Sequence, residues 1–238
     1  MNNKIFKNIS LLMAVIIVLI LPACGSEDIS GKIEDIEEKT DISGSIVEPP
    51  STEEITYKMG DTSGGIYTND FLKIGCKLDE NWTYYNDEQL AELSGVTMEN
   101  LDEDLAELLE EATESGKIVY DMYAASNDSL ANVSVIFENL GVMYSITLDE
   151  DKYIDISLEN TQRAWEALGG ENMIVKKAYI DFAGASHPAL IMTGELPEFN
   201  VYQTLVCIKQ GNYMASITFG SFMEDITGYL AGLFYTID

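Results

Sequence analysis

The feature that most constrains this chain is a series of short stretches in which apolar and polar residues alternate, separated by turns rich in Gly, Asn and Ser. In FLKIGCKL, residues 71–78, every second side chain is apolar, which is the period of a half-buried strand. Similar patterns predict strands at 65–68, 118–124, 132–140, 174–182, 189–195, 201–209 and 213–220. Short connections such as 210–212 join antiparallel neighbours. The pattern therefore predicts a mainly antiparallel sheet of about six to eight strands.

Helices are predicted between and after these strands. Leucines and an alanine at helical spacing place the first at about 101–112. Thr147 and Glu150 match a capping box, and one stripe follows them on the same helix: Ile154, Leu158, Thr161, Trp165 and Leu168. Ser221 and Glu224 repeat the signal for a last helix whose apolar face carries Ile226, Leu230, Leu233 and Phe234. The expected fold class is α+β, with helices flanking the sheet.

The N-terminus has the organisation of an export signal. Lys4 and Lys7 precede an uncharged apolar run at 11–21, which is too short to cross a bilayer comfortably. The Leu-Pro-Ala-Cys sequence that ends at Cys24 resembles a bacterial lipobox. That resemblance implies diacylglyceryl transfer to the Cys24 sulfur, removal of the signal peptide 1–23, and a lipid anchor at the extracellular face of the cell membrane. The alternative is an uncleaved signal anchor with an incidental cysteine.

Residues 24–56 are predicted to be a disordered acidic tether. Between 26 and 55 there are ten acids, two lysines, one Pro-Pro pair and no aromatic residue, so too little apolar surface is available to offset the entropy of ordering. A flexible chain of this length spans about 30 Å, which would hold the rest of the protein away from the membrane. The remaining residues, 57–238, are expected to form a single domain.

The charge of the chain excludes one class of partner. It has 41 Asp and Glu against 13 Lys and Arg, for a formal net charge of -28. Such a field repels the phosphates of nucleic acids and favours cations and basic partners. Nucleic-acid binding is therefore excluded, and most of the acids are expected to form a solvated surface.

No catalytic, cofactor or metal site is predicted. His187, the single histidine, lies in GASHPAL, where a solvated turn is expected, and it lacks the companions of a catalytic triad. Cys76 and Cys207 lie in apolar strand patterns and are expected to be free buried thiols, although a disulfide is chemically permitted outside the cell. Four acids cluster at a predicted helix start, where acidic side chains interact favourably with the helix dipole, so a metal ion is not needed to explain the cluster: Asp149, Glu150, Asp151 and Asp155.

Aromatic residues are the candidate ligand contacts. Trp82, Tyr84 and Tyr85 follow the second predicted strand, where rings could stack on a glycan or grip a peptide. The alternative is that they are half-buried in the sheet with polar groups at its rim. Tyr84 and Tyr85 are expected to belong less to the core than Trp82.

Several segments resemble a known group of proteins. YTNDFLKIGCKLDENWTYYND, VYDMYA, NVSVIFENLG and VCIKQGNYMASITFGSF are similar to segments of uncharacterised surface lipoproteins of Gram-positive bacteria with a PsbP-like α/β/α domain. The resemblance covers roughly 65–238 and includes a Trp just after an acidic turn, here Trp82. It implies an antiparallel sheet between helices and a binding or assembly role, and it brings no catalytic residue.

The sequence favours a non-catalytic, membrane-tethered extracellular domain that binds a protein, a peptide, a wall glycan or a small ligand. A cell-surface hydrolase that uses two carboxylates is the alternative, because the separation of such a pair cannot be read from sequence. An accessory factor for the folding of exported proteins is a third alternative.

Replacing Cys24 by Ser should abolish lipid attachment, since the hydroxyl is not a substrate for thioether formation. Metabolic labelling with a radioactive fatty acid should give a labelled wild-type band and no labelled Cys24→Ser band, with Cys76→Ser as the matched control that keeps the label. Label retained by the Cys24→Ser variant would refute the lipoprotein prediction.

Overall fold

The computed structural model describes residues 57–86, 88–92, 110–167, 170–196 and 199–238. Within these residues the chain is α+β, as predicted, and its ten strands form two antiparallel sheets. The predicted signal peptide, the tether, Cys24 and most of the helix predicted at 101–112 lie outside the described residues.

The larger sheet has seven strands. They are β3 (Trp82–Tyr84), β4 (Ile118–Ser126), β5 (Ala131–Asn139), β6 (Glu171–Phe182), β7 (Ala185–Leu196), β8 (Phe199–Gln210) and β9 (Tyr213–Phe222). Their spatial order is β3-β4-β5-β9-β8-β7-β6, and each pair of neighbours is antiparallel. The prediction of a mainly antiparallel sheet of this size is confirmed.

A smaller sheet of three strands contains β1 (Ile66–Asn69), β2 (Ile74–Lys77) and β10 (Phe234–Thr236) in the order β1-β2-β10. The predicted alternation in FLKIGCKL holds for Ile74, Cys76 and Leu78, which are buried, but residues 71–73 form a turn and Leu72 is half-buried, so the strand is shorter than predicted.

Helices lie on both faces of the larger sheet. They are α1 (Gly141–Thr147), α2 (Glu150–Ala167) and α3 (Thr227–Ala231), with shorter helical stretches at 88–92 and 110–114. On one face, here called the helix side, strand residues such as Ile136 and Leu205 share a core cluster with Ile154 and Trp165 of α2. On the opposite side, the smaller sheet and α3 pack over a second cluster. Both faces of the central strands are therefore buried.

Helix α2 has the predicted stripe but a different start. Ile154, Thr161 and Trp165 are buried as expected. The capping residue is Asp149, whose Oδ1 accepts a hydrogen bond of 2.9 Å from the backbone N–H of Lys152. The predicted cap, Thr147, is instead the last residue of α1, so the predicted capping box is wrong.

The last helix is shorter than predicted and differs from the prediction at both of its ends. Ser221 belongs to β9, and only Thr227–Ala231 is helical. The backbone N–H of Thr227 donates to Asp225 Oδ1 at 3.1 Å, so Asp225 holds the helix start. Phe234 begins a strand that pairs with β2 and lies opposite Cys76. Strand pairing together with burial of the Phe234 ring outweighs the helical period of the sequence.

A β-bulge in β4 determines which residues face each side. The register shifts between Tyr120, which lies opposite Ile136, and Met122, which lies opposite Val135. Tyr120 consequently packs in the helix-side cluster and Met122 in the opposite cluster, although regular pleating would put them on one face. The extra residue is Asp121.

Asp121 is buried and accepts four hydrogen bonds. The donors are the hydroxyls of Tyr57 and Tyr67, the Asn69 side-chain amide at 2.9 Å and the Gly60 backbone N–H at 2.8 Å. Burial first, and the Asp121 charge second, raise the pKa of Tyr67, so its hydroxyl stays a proton donor. A Cβ on Gly60 would lie 2.7 Å from Asp121 Oδ2, which explains the glycine. This carboxylate connects the first described residues and the smaller sheet to β4.

Replacing Asp121 by Asn should lower the free energy of unfolding by about 3 kcal/mol, because each buried donor left without an acceptor costs about 1–3 kcal/mol. Urea unfolding of the full-length protein, followed by circular dichroism, measures the change. Asp181→Asn, at an exposed residue of β6, is the matched control and should change stability by less than about 0.5 kcal/mol. Equal stability of the two variants would contradict the role given to Asp121.

Candidate functional site: a buried polar strip

Four polar side chains lie on the helix side of three adjacent strands in the middle of the larger sheet. We call this set the polar strip: Asn132 and Ser134 of β5, Thr218 of β9 and Gln203 of β8. None of them is more than 2% exposed. Their apolar neighbours along each strand point to the opposite core, as the alternation of a strand requires.

The strand register brings these side chains together. Ser134 lies directly opposite Thr218. In the next row, Gly220 lies opposite both Asn132 on one side and Gln203 on the other. Because glycine has no side chain, β9 contributes no side chain between the two amides in this row.

The hydrogen-bonding groups of the strip are unused. Asn132 Oδ1 and Nδ2, Ser134 Oγ, Thr218 Oγ1 and Gln203 Nε2 are buried and have no hydrogen-bond partner within the part of the chain that the structure describes. Buried polar atoms in folded proteins nearly always have a partner. Each one left unpaired costs about 1–3 kcal/mol, so this concentration is an unusual feature of the described core.

Apolar groups border the strip on two sides. Tyr123 of β4 lies opposite Ser134, and Leu205 of β8 lies opposite Thr218. Both are buried. The strip therefore combines a few convergent polar groups with an aromatic and an aliphatic neighbour, all of them buried. None of the four strip side chains is ionisable, so the site favours an uncharged ligand.

A second buried group on the helix side is chemically inert. The Tyr153 hydroxyl of α2 donates to Glu138 Oε2 at 2.8 Å. Desolvation raises the pKa of Tyr153 and of the Cys207 thiol, so neither group is a nucleophile near neutral pH. Cys207 and Cys76 are both free and buried, which confirms the prediction made for them.

Buried carboxylates are few among the described residues. Asp121 and Glu138 are the buried acids among the described residues, and their hydrogen bonds place them on opposite sides of the sheet. No group of three or more His, Cys, Asp and Glu side chains in the described segments could hold a metal ion.

The acids at the start of α2 have protein partners. Lys177 Nζ lies 2.8 Å from a carboxylate oxygen of both Asp151 and Asp155, and hydrogen bonding to Lys177 lowers the pKa of Asp151. Glu150 Oε1 accepts a hydrogen bond of 2.8 Å from the backbone N–H of Lys209. These contacts and the helix start account for the cluster.

His187 is not in a solvated turn, so that prediction is wrong. It lies in β7, where it pairs with Ile180 of β6, and its side chain is 14% exposed, with Nδ1 3.5 Å from Glu150 Oε2. The following proline suggested a turn. Pro188 is tolerated because pairing of β7 with β8 begins one residue later, at Ala189, so the missing N–H removes no bond from that ladder.

The three aromatic residues proposed from the sequence are half-buried at the β3 edge of the sheet. Trp82 and Tyr84 pack against the same core cluster. The Tyr84 hydroxyl donates to the Cys76 carbonyl at 3.3 Å, and burial raises the pKa of Tyr84 to about 12. Tyr84 thus packs on the same core as Trp82, and both side chains are half-buried. Tyr85 packs edge-on against Tyr123, with ring centroids 4.8 Å apart, and so lies behind one wall of the polar strip.

Replacing Thr218 by Val should stabilise the ligand-free protein by about 1 kcal/mol, since it removes an unpaired buried hydroxyl and keeps the shape of the side chain. The melting temperature of the full-length protein should rise by about 2–4 °C. Thr204→Val is the matched control, because the buried Thr204 hydroxyl donates to Thr227 at 3.2 Å, and this variant should melt lower. A lower melting temperature for Thr218→Val as well would show that its hydroxyl has a structural partner.

No helix in the described segments is long and apolar enough to span a membrane. Comparison of the chain with protein-family models and with the sequences of curated proteins gave no match. The function is accordingly argued from the geometry of the polar strip and from the N-terminal sequence.

Proposed function

We propose that this protein is a lipid-tethered, non-catalytic binding protein at the extracellular face of the cell membrane, and that its ligand is a small uncharged polar molecule that reaches the buried polar strip when the fold opens locally. The observation that carries this proposal is the set of unused hydrogen-bonding groups on three adjacent strands. A strand residue such as Thr218 could be valine at no cost to the sheet, so its unpaired hydroxyl supports a role in binding.

The energetics support a binding role for the strip. With about 1–3 kcal/mol for each unpaired buried group, the empty strip removes much of the 5–15 kcal/mol by which a domain is normally stable. Binding sites typically carry such a loss, because residues suited to a ligand are not the most stable choice for the fold. A ligand that satisfies the groups would restore that stability.

The anchor and tether are proposed from the sequence alone. A lipid on Cys24 and the acidic segment that follows it, 24–56, would hold the domain outside the cell at a distance of about 30 Å from the membrane. The resemblance to Gram-positive surface lipoproteins supports the same location and a binding role.

The test is a screen of small molecules against the full-length protein in detergent, read as a rise in melting temperature. A true ligand should raise it for the wild type and for Thr204→Val, and much less for Thr218→Val and Asn132→Leu. Its affinity should not depend on salt, whereas a basic partner on the acidic surface would bind more weakly as salt rises.

Two results would contradict this function. One is a screen in which no molecule distinguishes the strip variants from Thr204→Val, combined with a high-resolution structure in which ordered waters satisfy all the strip groups. The other is turnover of a bound molecule that stops when a single carboxylate is neutralised, which would favour the hydrolase.

A further inference from the structure

The two most exposed large apolar side chains of the described residues lie side by side on one short helix. In α1, Val142 is 69% exposed and Ile146 is 79% exposed, and residues four apart lie on the same face of a helix. We call this pair the apolar ridge. We propose that the apolar ridge docks into the lipid surface of the membrane to which the protein is tethered, an inference that rests on the lipid tether of the proposed function.

The residues of the ridge are unusual choices for exposed helix positions. Valine and isoleucine lose side-chain freedom in a helix, so polar residues with straight side chains would stabilise α1 better at these positions. Packing does not explain the choice either, because α1 contacts the helix-side cluster through Tyr144. Transfer of the two side chains from water to an apolar environment is favourable, which makes the ridge suited to a lipid surface.

Helix α1 is supported at both ends, so it presents the ridge in a fixed position. At its start, the backbone N–H of Gly141 donates to Asn139 Oδ1 at 2.9 Å. In its last turn, backbone carbonyls accept hydrogen bonds from the Nζ groups of Lys152 and Lys209. Because the ridge is already ordered, little conformational entropy is lost when it enters the lipid.

The ridge lies at the end of the larger sheet where the predicted tether joins the domain. Just before α1, the backbone N–H of Leu140 donates to the Asn212 carbonyl at 2.8 Å. The next residue along β9, Tyr213, has its ring centroid 5.3 Å from that of Tyr57, which is the first described residue. The segment that leads back to the lipid anchor therefore starts at the same end as α1, and this end is the one kept within reach of the membrane.

The tether makes a ridge of two side chains sufficient. An untethered protein would need a larger apolar surface to stay on a membrane. An anchored domain cannot diffuse away, so its docking is intramolecular and takes place at a high effective concentration. A flexible tether of the predicted length spans about 30 Å on average, which lets the domain reach the lipid surface as well as move away from it.

Lysines at this end of the domain reduce its repulsion from anionic lipids. The acids at the start of α2 lie beside α1, and Lys152 and Lys177 pair with three of them. Beside the predicted tether, Lys58 Nζ lies 3.9 Å from Asp70. Lys209 adds a further positive charge at the end of α1. Because the chain as a whole is strongly acidic, an orientation with this end toward the lipid meets less repulsion than others.

The experiment places an environment-sensitive fluorophore on the ridge of the full-length lipidated protein, reconstituted into vesicles of phosphatidylcholine and phosphatidylglycerol. Ile146→Cys carries the label. The matched control is Ile174→Cys, at an isoleucine that is 60% exposed and lies near the start of β6, at the other end of the sheet. Cys76 and Cys207 are buried and should stay unlabelled, which the wild type checks.

A quencher attached to the lipid acyl chains reports insertion. We expect it to quench the label at 146 about threefold or more as strongly as the label at 174, because an inserted apolar face reaches the boundary of the acyl chains. Val142→Asn in the Ile146→Cys background should lower the quenching by about half, since one of the two ridge residues is lost. Labelling with a radioactive fatty acid is followed in parallel to establish that the anchor is present.

The outcomes separate the docking from the tether. Equal quenching at 146 and 174 in a protein that carries the fatty acid overturns the docking and leaves the tether in place. Fluorescence at 146 that changes with the number of proteins per vesicle, and not with the lipid quencher, means that a second copy covers the ridge, and the lipid proposal is then wrong. A wild-type protein that takes up no fatty acid overturns the tether of the proposed function, and the docking with it.

Discussion

The structure depends on the buried Asp121 carboxylate and on the bulge that puts it there. As the additional residue in β4, Asp121 points into the opposite-side core and holds two tyrosines, an asparagine and a backbone N–H that belong to the first described residues and β1. The same bulge puts Tyr123 on the helix side, opposite Ser134. One local irregularity therefore attaches the smaller sheet and positions a wall of the proposed site.

Because both faces of the central strands are buried, polar side chains on either face lose their contact with water. In a sheet with one solvated face, Ser134 and Thr218 would be hydrated and would cost nothing. In this protein α2 packs over β6, β7 and β8, Ser134 and Thr218 are fully buried, and their hydroxyls become unpaired groups inside the core. Burial of this second face is what makes the hydroxyls costly, and it is the basis of the binding role proposed for the strip.

The sequence predicted the antiparallel sheet, most strand positions, the buried stripe of α2 and the free thiols, because these follow from local periodicity. It did not predict strand β10, because the pairing of β10 with β2 is a long-range contact. It also did not predict that His187 lies in a strand, because the proline that follows it suggested a turn; Pro188 fits in β7 at a position that has no partner on β8. The strip was missed because the alternation in NVSVIF and ASITF is typical of strands with a solvated face. Only the register, with Gly220 between Asn132 and Gln203, shows that these side chains converge.

The central claim is that the polar strip is where a ligand binds, and side-chain amide NMR tests it most directly. The Asn132 and Gln203 side-chain NH₂ signals are assigned in a ¹⁵N-labelled sample and followed as a ligand is added, with the Asn69 amide, already bonded to Asp121, as the internal control. The account predicts that the Asn132 and Gln203 signals shift to the positions of hydrogen-bonded amides and that the Asn69 signals stay in place. Ligand binding that leaves the Asn132 and Gln203 signals unmoved would contradict it.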